Sequence, residues 1–303
     1  MIIHVVVSGD TLHQLSRTYN ISVQRIISDN GLMFPYQLTV GQALIITQPT
    51  LLHTVKAGES PFSIAVEYGI SVQELYQNNP ELTYGVPLYP GQVLTISFWS
   101  PKERTIAIKG FAYANIDQHV LRRALPFLTY LSIFSYGFRA NGSLIPIDDS
   151  FLLNQARIFQ ALPMLVLTSI DEEGHFSTEL IELLLQDLDM QNVLLEHIVD
   201  TLLVKGYRGL DVDFEFVPGG LANAYVDFLA NAKAHLSPHG LLLHVDLAPK
   251  TSDDQPGLLY EGHNYRRIGE IADQVMLMTY EWGYTYDHIG YSRRIFSAKS
   301  THG

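Results

Sequence analysis

Apolar side chains at Val193, Leu194, Ile198, Val199, Leu202 and Leu203 recur at the helical period, and Lys205-Gly206-Tyr207 ends the run. The next stretch, Gly209 to Phe216, switches to the period of an extended strand. Asp211, Asp213 and Glu215 share one face there, while Val212, Phe214 and Phe216 share the other. Pro218-Gly219-Gly220 breaks the strand, and a second amphipathic stretch opens at Ala222. Helix, turn, strand and helix make a βα unit whose acids climb toward the carboxyl end of the strand, where barrel enzymes keep their chemistry.

From Pro101 onward the same alternation predicts strands over Thr105 to Ala112, Leu128 to Ser135, Leu162 to Thr168, Gly209 to Phe216, Leu241 to Ala248 and Gln274 to Tyr280. Helices are predicted over Phe151 to Ala161, Val193 to Lys205, Ala222 to His235 and Tyr265 to Ala272. Strands alternating with helices give a parallel sheet with right-handed crossovers.

The first hundred residues follow a different pattern, and it occurs twice. His4, Val6, Gly9, Leu15, Tyr19, Ile21, Ser22, Val23, Gln24 and Asn30 return 49 positions later as His53, Val55, Gly58, Ile64, Tyr68, Ile70, Ser71, Val72, Gln73 and Asn79. After the asparagine one residue is inserted, so Gly41-Gln42, Leu44 and Ile46 return as Gly91-Gln92, Leu94 and Ile96. Each copy predicts an apolar strand, a glycine turn, two short helices capped by Asp10 or Thr11 and then by Ser22 or its counterpart, and a closing strand.

Composition narrows the choices. With 303 residues and 47% hydrophobic content there is ample material for a buried core beyond the two copies. A net charge of −12 argues against nucleic acid, and against adhesion to an anionic wall by simple attraction. No apolar stretch approaches a membrane span, so no membrane insertion is expected, and the first residues lack the basic start and long core of a secretory signal. There is no cysteine, and the 12 histidines show no metal-ligand spacing. No metal and no cofactor are expected.

Three carboxylates on one buried face are costly unless paired, and their perturbed proton affinities suit acid-base chemistry. The string also fits an edge strand with a solvated face, or a divalent metal site. Gly206-Tyr207-Arg208-Gly209-Leu210-Asp211-Val212-Asp213-Phe214-Glu215 resembles the fourth-strand signature DxxDxDxE of glycoside hydrolase family 18, the chitinase-like (β/α)8 barrels; its first acid falls on Arg208 here. Gln274 to Trp282 resembles that family's sixth strand. The resemblance implies substrate-assisted retaining hydrolysis, in which the sugar's acetamido oxygen attacks the anomeric carbon. It implies Glu215 as general acid and base, Asp213 orienting the acetamido group, Asp211 behind it, and Tyr280 donating to the acetamido oxygen. Glu281 and Trp282, as substrate-binding residues, and Asp246 could line the cleft, and each equally suits ordinary packing. The family barrel also carries two further strands; Asp287 to Gly303 is polar and fits neither, so the barrel is expected to be truncated after about six strands.

Each N-terminal copy resembles a LysM domain, a family that grips N-acetylglucosamine glycans in a shallow groove. The implied groove residues are Gly9, Asp10, Thr11 and Asn30, with Gly31 and Leu32, in the first copy. In the second they are Gly58, Glu59, Ser60 and Asn79, with Pro80 and Glu81. Gly9 and Gly58 equally suit turn geometry alone. The expected architecture is α/β: LysM modules over 2–48 and 51–98, then a TIM-type barrel over 103–303. The combination resembles spore-cortex-lytic and germination N-acetylglucosaminidases, which implies a peptidoglycan partner and an extracytoplasmic spore or wall location. A non-catalytic wall-binding protein with a degenerate barrel and a chitinase acting on chitin-like glycans are the alternatives.

Overall fold

A computed structural model of the chain describes residues 1–82, 84–99 and 104–279, which divide into two compact units. The first comprises residues 1–108 with 116–129 and 158–161; the second comprises 109–115, 130–157 and 162 onward.

The first unit opens with β1 (Ile2–Val5), α1 (Leu12–Tyr19), α2 (Val23–Asp29) and β2 (Ala43–Ile46), with β1 antiparallel to β2. The Thr11 and Ser22 hydroxyls accept from the Gln14 and Arg25 amides and cap the helices as expected. Val6, Leu15, Ile26, Leu44 and Ile46 close the core. The second copy repeats the order as β3 (Pro49–Thr54), α3 (Pro61–Tyr68), α4 (Val72–Asn78) and β4 (Val93–Phe98), around Val55, Ile64, Leu75, Leu94 and Ile96. Ser60 and Ser63 form a capping box there, with Pro61 in the first turn.

One side chain ties the copies together. Arg25 of α2 donates through Nη1 to the Asn78 carbonyl at 2.9 Å and to Thr95 Oγ1 at 3.0 Å. Its guanidinium lies 5.0 Å from the Phe98 ring centre, and Asp29 holds its Nε at 2.8 Å. A planar cation with several donors suits such a junction.

The remaining elements are β5 (Lys109–Tyr113), α5 (Gln118–Ala124), β6 (Tyr130–Phe138), β7 (Leu144–Ile145), α6 (Ser150–Phe159), β8 (Leu162–Leu167), α7 (Thr178–Gln186), α8 (Leu188–Lys205), β9 (Gly209–Val212), α9 (Ala222–Leu236), β10 (Leu242–Leu247), α10 (Tyr265–Ile271) and β11 (Gln274–Leu277). The strands β5, β6, β8, β9, β10 and β11 lie side by side in that order, all parallel, and the short β7 pairs antiparallel with β6. The sheet is curled, and a side-chain contact proves it. Four strand spacings separate β5 from β10, roughly 19 Å if flat, yet Lys109 on β5 reaches Asp246 on β10 at 2.8 Å. This is the half-barrel of a TIM-type fold. Gly209 shows how tightly it is drawn, since a Cβ there would overlap the Leu242 carbonyl.

Several boundaries differ from the sequence expectation: β6 begins at Tyr130 instead of Leu128 and runs to Phe138, and α8 begins at Leu188 instead of Val193. The fourth parallel strand stops at Val212 instead of Phe216, because Asp213 makes the last ladder bond, to the Leu167 carbonyl at 3.0 Å, and the chain then leaves the sheet. The first begins at Lys109 instead of Thr105, and the exposed Ile106 and Ile108 explain why: neither side chain has a core to enter. The sixth ends at Leu277, and its expected end at Tyr280 lies outside the described residues. Helices α5 and α7, capped by Asp117 and Ser177, were not among those predicted.

Candidate active site

Alternation along three strands puts Ser132 of β6, Asp211 of β9 and Asp246 of β10 on the concave face, all at most 1% exposed, and Lys109 rises among them from the start of β5. Lys109 Nζ donates to Asp211 Oδ1 at 2.7 Å and to Asp246 Oδ1 at 2.8 Å. Ser132 Oγ donates to Asp211 Oδ2 at 2.7 Å. Two buried carboxylates therefore share one ammonium. Burial first, and the Asp211 charge second, push the Asp246 carboxyl up to about 7, with Lys109 pulling it down. His244 faces Asp211 in the β9–β10 register, and burial drives its imidazole down to about 4, so it adds no second cation near neutral pH.

The three acids of the motif are graded in depth. Asp211 is wholly buried, Asp213 is 6% exposed just past the end of β9, and Glu215 is half-buried nearer the opening. Beyond the ladder this segment is anchored by Phe214, which stacks on Phe228 with ring centres 5.8 Å apart and meets Phe138 and Tyr225 at 6.0 Å. It is also anchored through its backbone. His263 Nε2 lies 2.9 Å from the Phe214 carbonyl, which can only accept, so that nitrogen carries the proton. Burial lowers His263 to about 4 against the opposing pull of this hydrogen bond, which leaves a neutral ring. Gly262 lets the imidazole approach, since a Cβ there would overlap Val217.

Sequence reasoning missed Lys109, Ser132 and His263. Their only early signal was polarity inside otherwise apolar or turn segments. Tyr280, Glu281 and Trp282 lie outside the described residues. Among the described residues no helix is long and apolar enough to cross a membrane.

The LysM profile matches residues 4–47 and 53–97. The cortical fragment-lytic enzyme of Bacillus anthracis is 35% identical over 286 residues, which is 91% of this chain and 65% of that enzyme. This chain is a homologue of the spore cortex-lytic enzymes. The crystal structure of the Bacillus megaterium spore cortex-lytic enzyme SleL, 34% identical, superposes with a TM-score of 0.70 over 93% of this chain and 66% of that one. The homologue thus spans just under two thirds of the length of these relatives. A chitinase from Chromobacterium violaceum shares the fold at 19% identity, with a TM-score of 0.54 over 59% of the chain and 57% of the chitinase.

In this chain both LysM domains build their first loop alike. His4 bridges Tyr19 and Asp10 at 2.9 Å each; His53 bridges Tyr68 at 3.0 Å and Glu59 at 2.7 Å. The backbone amide of Val7 or Lys56, then the histidine, holds the Asp10 or Glu59 carboxyl below its usual range. Gly9 and Gly58 sit at φ 95° and 84°, which favours glycine for the turn itself. Thr11 and Ser60 cap helices.

The paired asparagines are structural pins. Asn79, 1% exposed, donates to the Leu75 and Thr95 carbonyls and accepts from the Thr95 amide, so its side chain has no face left for a ligand. Asn30 repeats the pattern with Ile26 and Ile45. Within the first unit a cleft of about 650 Å³ does border Ser60. Pro61, Phe62, Tyr76, Tyr84 and Phe159 surround it, and Tyr84 meets Phe159 edge-on at 4.8 Å. Apolar ring faces of this kind suit the C–H faces of a sugar.

Proposed function

We propose that this chain is a peptidoglycan glycosidase that cleaves N-acetylglucosamine linkages of spore cortex by substrate-assisted retaining hydrolysis. The observation that carries the reading is the graded line Asp211, Asp213, Glu215 at the carboxyl end of a central parallel strand, its deepest member held by Lys109 and Ser132. Homology to the cortex-lytic enzymes supports the substrate class.

Glu215 protonates the glycosidic oxygen as the bond to the anomeric carbon breaks, while the substrate's acetamido oxygen bonds to that carbon from the opposite face. Asp213 accepts from the acetamido N–H and offsets the positive charge of the oxazolinium that forms. The Glu215 carboxylate then takes a proton from water as the water's oxygen attacks the anomeric carbon, the oxazolinium ring opens, and the configuration is retained. A half-buried Glu215 suits an acid that must be protonated at first and exposed to solvent later. Tyr280 is assigned the acetamido oxygen, with Glu281 and Trp282 lining the sugar site, from the family resemblance alone.

In this reading residues 2–48 and 51–98 hold the glycan through Gly9, Asp10, Thr11, Gly58, Glu59 and Ser60, and 103–303 cuts it. The protein acts on the wall or spore, outside the cytoplasm, with no nucleic-acid partner and no membrane insertion. The test is release of reducing ends from purified cortex fragments by the wild type and by Glu215→Gln. Release by the wild type, at least about 100-fold slower in the variant, with equal pelleting on peptidoglycan, supports the assignment. Pelleting without release by either protein would leave a wall-binding protein, and release from chitin oligomers alone would make it a chitinase.

A further inference from the structure

Three buried aspartates crowd the interior of the half-barrel. Asp211 and Asp213 of the β9 segment and Asp246 of β10 lie on or beside one concave face, and the neutral groups near them include Ser132, the buried Tyr225 phenol and His244, which meets Tyr130. Among the described residues the cation in contact with this group is Lys109, whose side chain is 12% exposed and lies 4.8 Å from the Phe111 ring centre. Its Nζ touches both Asp211 and Asp246, which sit on neighbouring strands. A lysine held by two carboxylates and an aromatic face has little rotamer freedom. It therefore fixes which way Asp211 points.

We propose that Lys109 is the positioning residue of this site, a single ammonium that clamps Asp211 to Asp246 and so fixes the carboxylate standing directly behind Asp213. Lys109 is separated from Asp211 by 102 positions, and its bonds go to Asp211 and Asp246, so it acts through Asp211. With Lys109 and Ser132 both bonded to it, Asp211 stands behind Asp213 in one fixed orientation. Without Lys109, two buried carboxylates on adjacent strands repel, and one of them takes up a proton. The kinetic half of this inference rests on the glycosidase reading; the ionisation half does not.

The experiment uses the full chain as wild type, Lys109→Met, Lys109→Arg, Asp246→Asn and the double variant Lys109→Met/Asp246→Asn. The double variant removes one acid together with the cation, and so keeps a folded reference should Lys109→Met alone unfold. Carboxyl ¹³C NMR titration reads the Asp246 midpoint in the wild type, Lys109→Arg and Lys109→Met. Hydrolysis of cortex fragments as a function of pH reads kcat and KM.

The expected result is a midpoint for Asp246 that rises by about one pH unit or more in Lys109→Met and returns toward wild type in Lys109→Arg. With it, kcat of the double variant falls at least about tenfold below that of Asp246→Asn at unchanged KM. An unmoved Asp246 midpoint in a folded Lys109→Met overturns the proposal. So does equal kcat for Asp246→Asn and the double variant, which share the same acids and differ only in the cation. Should the wild type hydrolyse nothing, the glycosidase reading falls and the NMR midpoint alone decides whether Lys109 clamps the pair.

Discussion

His263 donates its Nε2 proton to the carbonyl oxygen of Phe214 across 2.9 Å, and so fixes the backbone midway between Asp213 and Glu215 from 49 residues further along the chain. That carbonyl lies beyond the last ladder bond of β9, where the sheet no longer holds it. His263→Ala is expected to lower stability by about 1–3 kcal/mol, the cost of leaving a buried carbonyl without a donor. It should lower kcat on cortex fragments more than it raises KM. His263→Gln, whose amide can replace the donor, should recover most of both; equal loss in the two variants would assign the effect to packing instead.

The same ring gives a pH signature. A free histidine titrates near 6.5, and burial holds His263 at about 4 in the folded state. The unfolded chain binds the extra proton first, so this contribution is complete above pH 6.5 and is lost as pH falls toward 4. His244 acts in the same direction, while Asp246, raised to about 7, acts oppositely and stabilises as pH falls. Comparing wild type with His263→Gln cancels both. Urea unfolding between pH 7.5 and 4 should show the wild type losing stability relative to the variant only below about 6.5.

Asn79 and Asn30 occupy equivalent positions at different depths. Replacing Asn79 by alanine strands two carbonyls and one amide in a site 1% exposed, whereas water can reach the partners of the more exposed Asn30. Asn79→Ala should therefore cost about 2–4 kcal/mol and Asn30→Ala about half that. Hydrogen exchange at the Thr95 and Ile45 amides measures each copy separately within one protein.

Arg25 joins the two copies through Asn78, Thr95 and the Phe98 ring. A lysine there keeps the charge but loses the planar set of donors, so Arg25→Lys should behave nearly as Arg25→Ala. Both should weaken pelleting on insoluble peptidoglycan several-fold, because two grooves held in fixed relation bind as one ligand and two loosely linked grooves do not. Binding of a glycan short enough to occupy one groove should be unchanged in either variant.

The repeat was legible because each copy is built from contacts close in sequence: caps three residues apart, and a histidine that reaches residues 6 and 15 positions on. The βααβ order and the helix caps follow directly. The parallel strands were legible as elements but overran their ladders, since apolar alternation continues through Phe214, which is buried against α9 after the chain has left the sheet. The acids Asp211 and Asp213 stood out as charges in an apolar run. The groups that hold this segment did not, because Lys109 and Ser132 lie 102 and 79 positions from Asp211, and His263 lies 49 positions from the Phe214 carbonyl it bonds. Only the curl of the half-barrel brings the first two within reach, and curl leaves no local mark on a sequence.

His4 with Asp10 and His53 with Glu59 perform the same task with acids of different length, each bonded to a tyrosine and an amide of its own copy. The shape of this loop is thus inherited whole with each copy, through bonds made inside that copy. An array of these units can grow or shrink by duplication and deletion without retuning, and an engineer can transplant one, loop included, as a finished part.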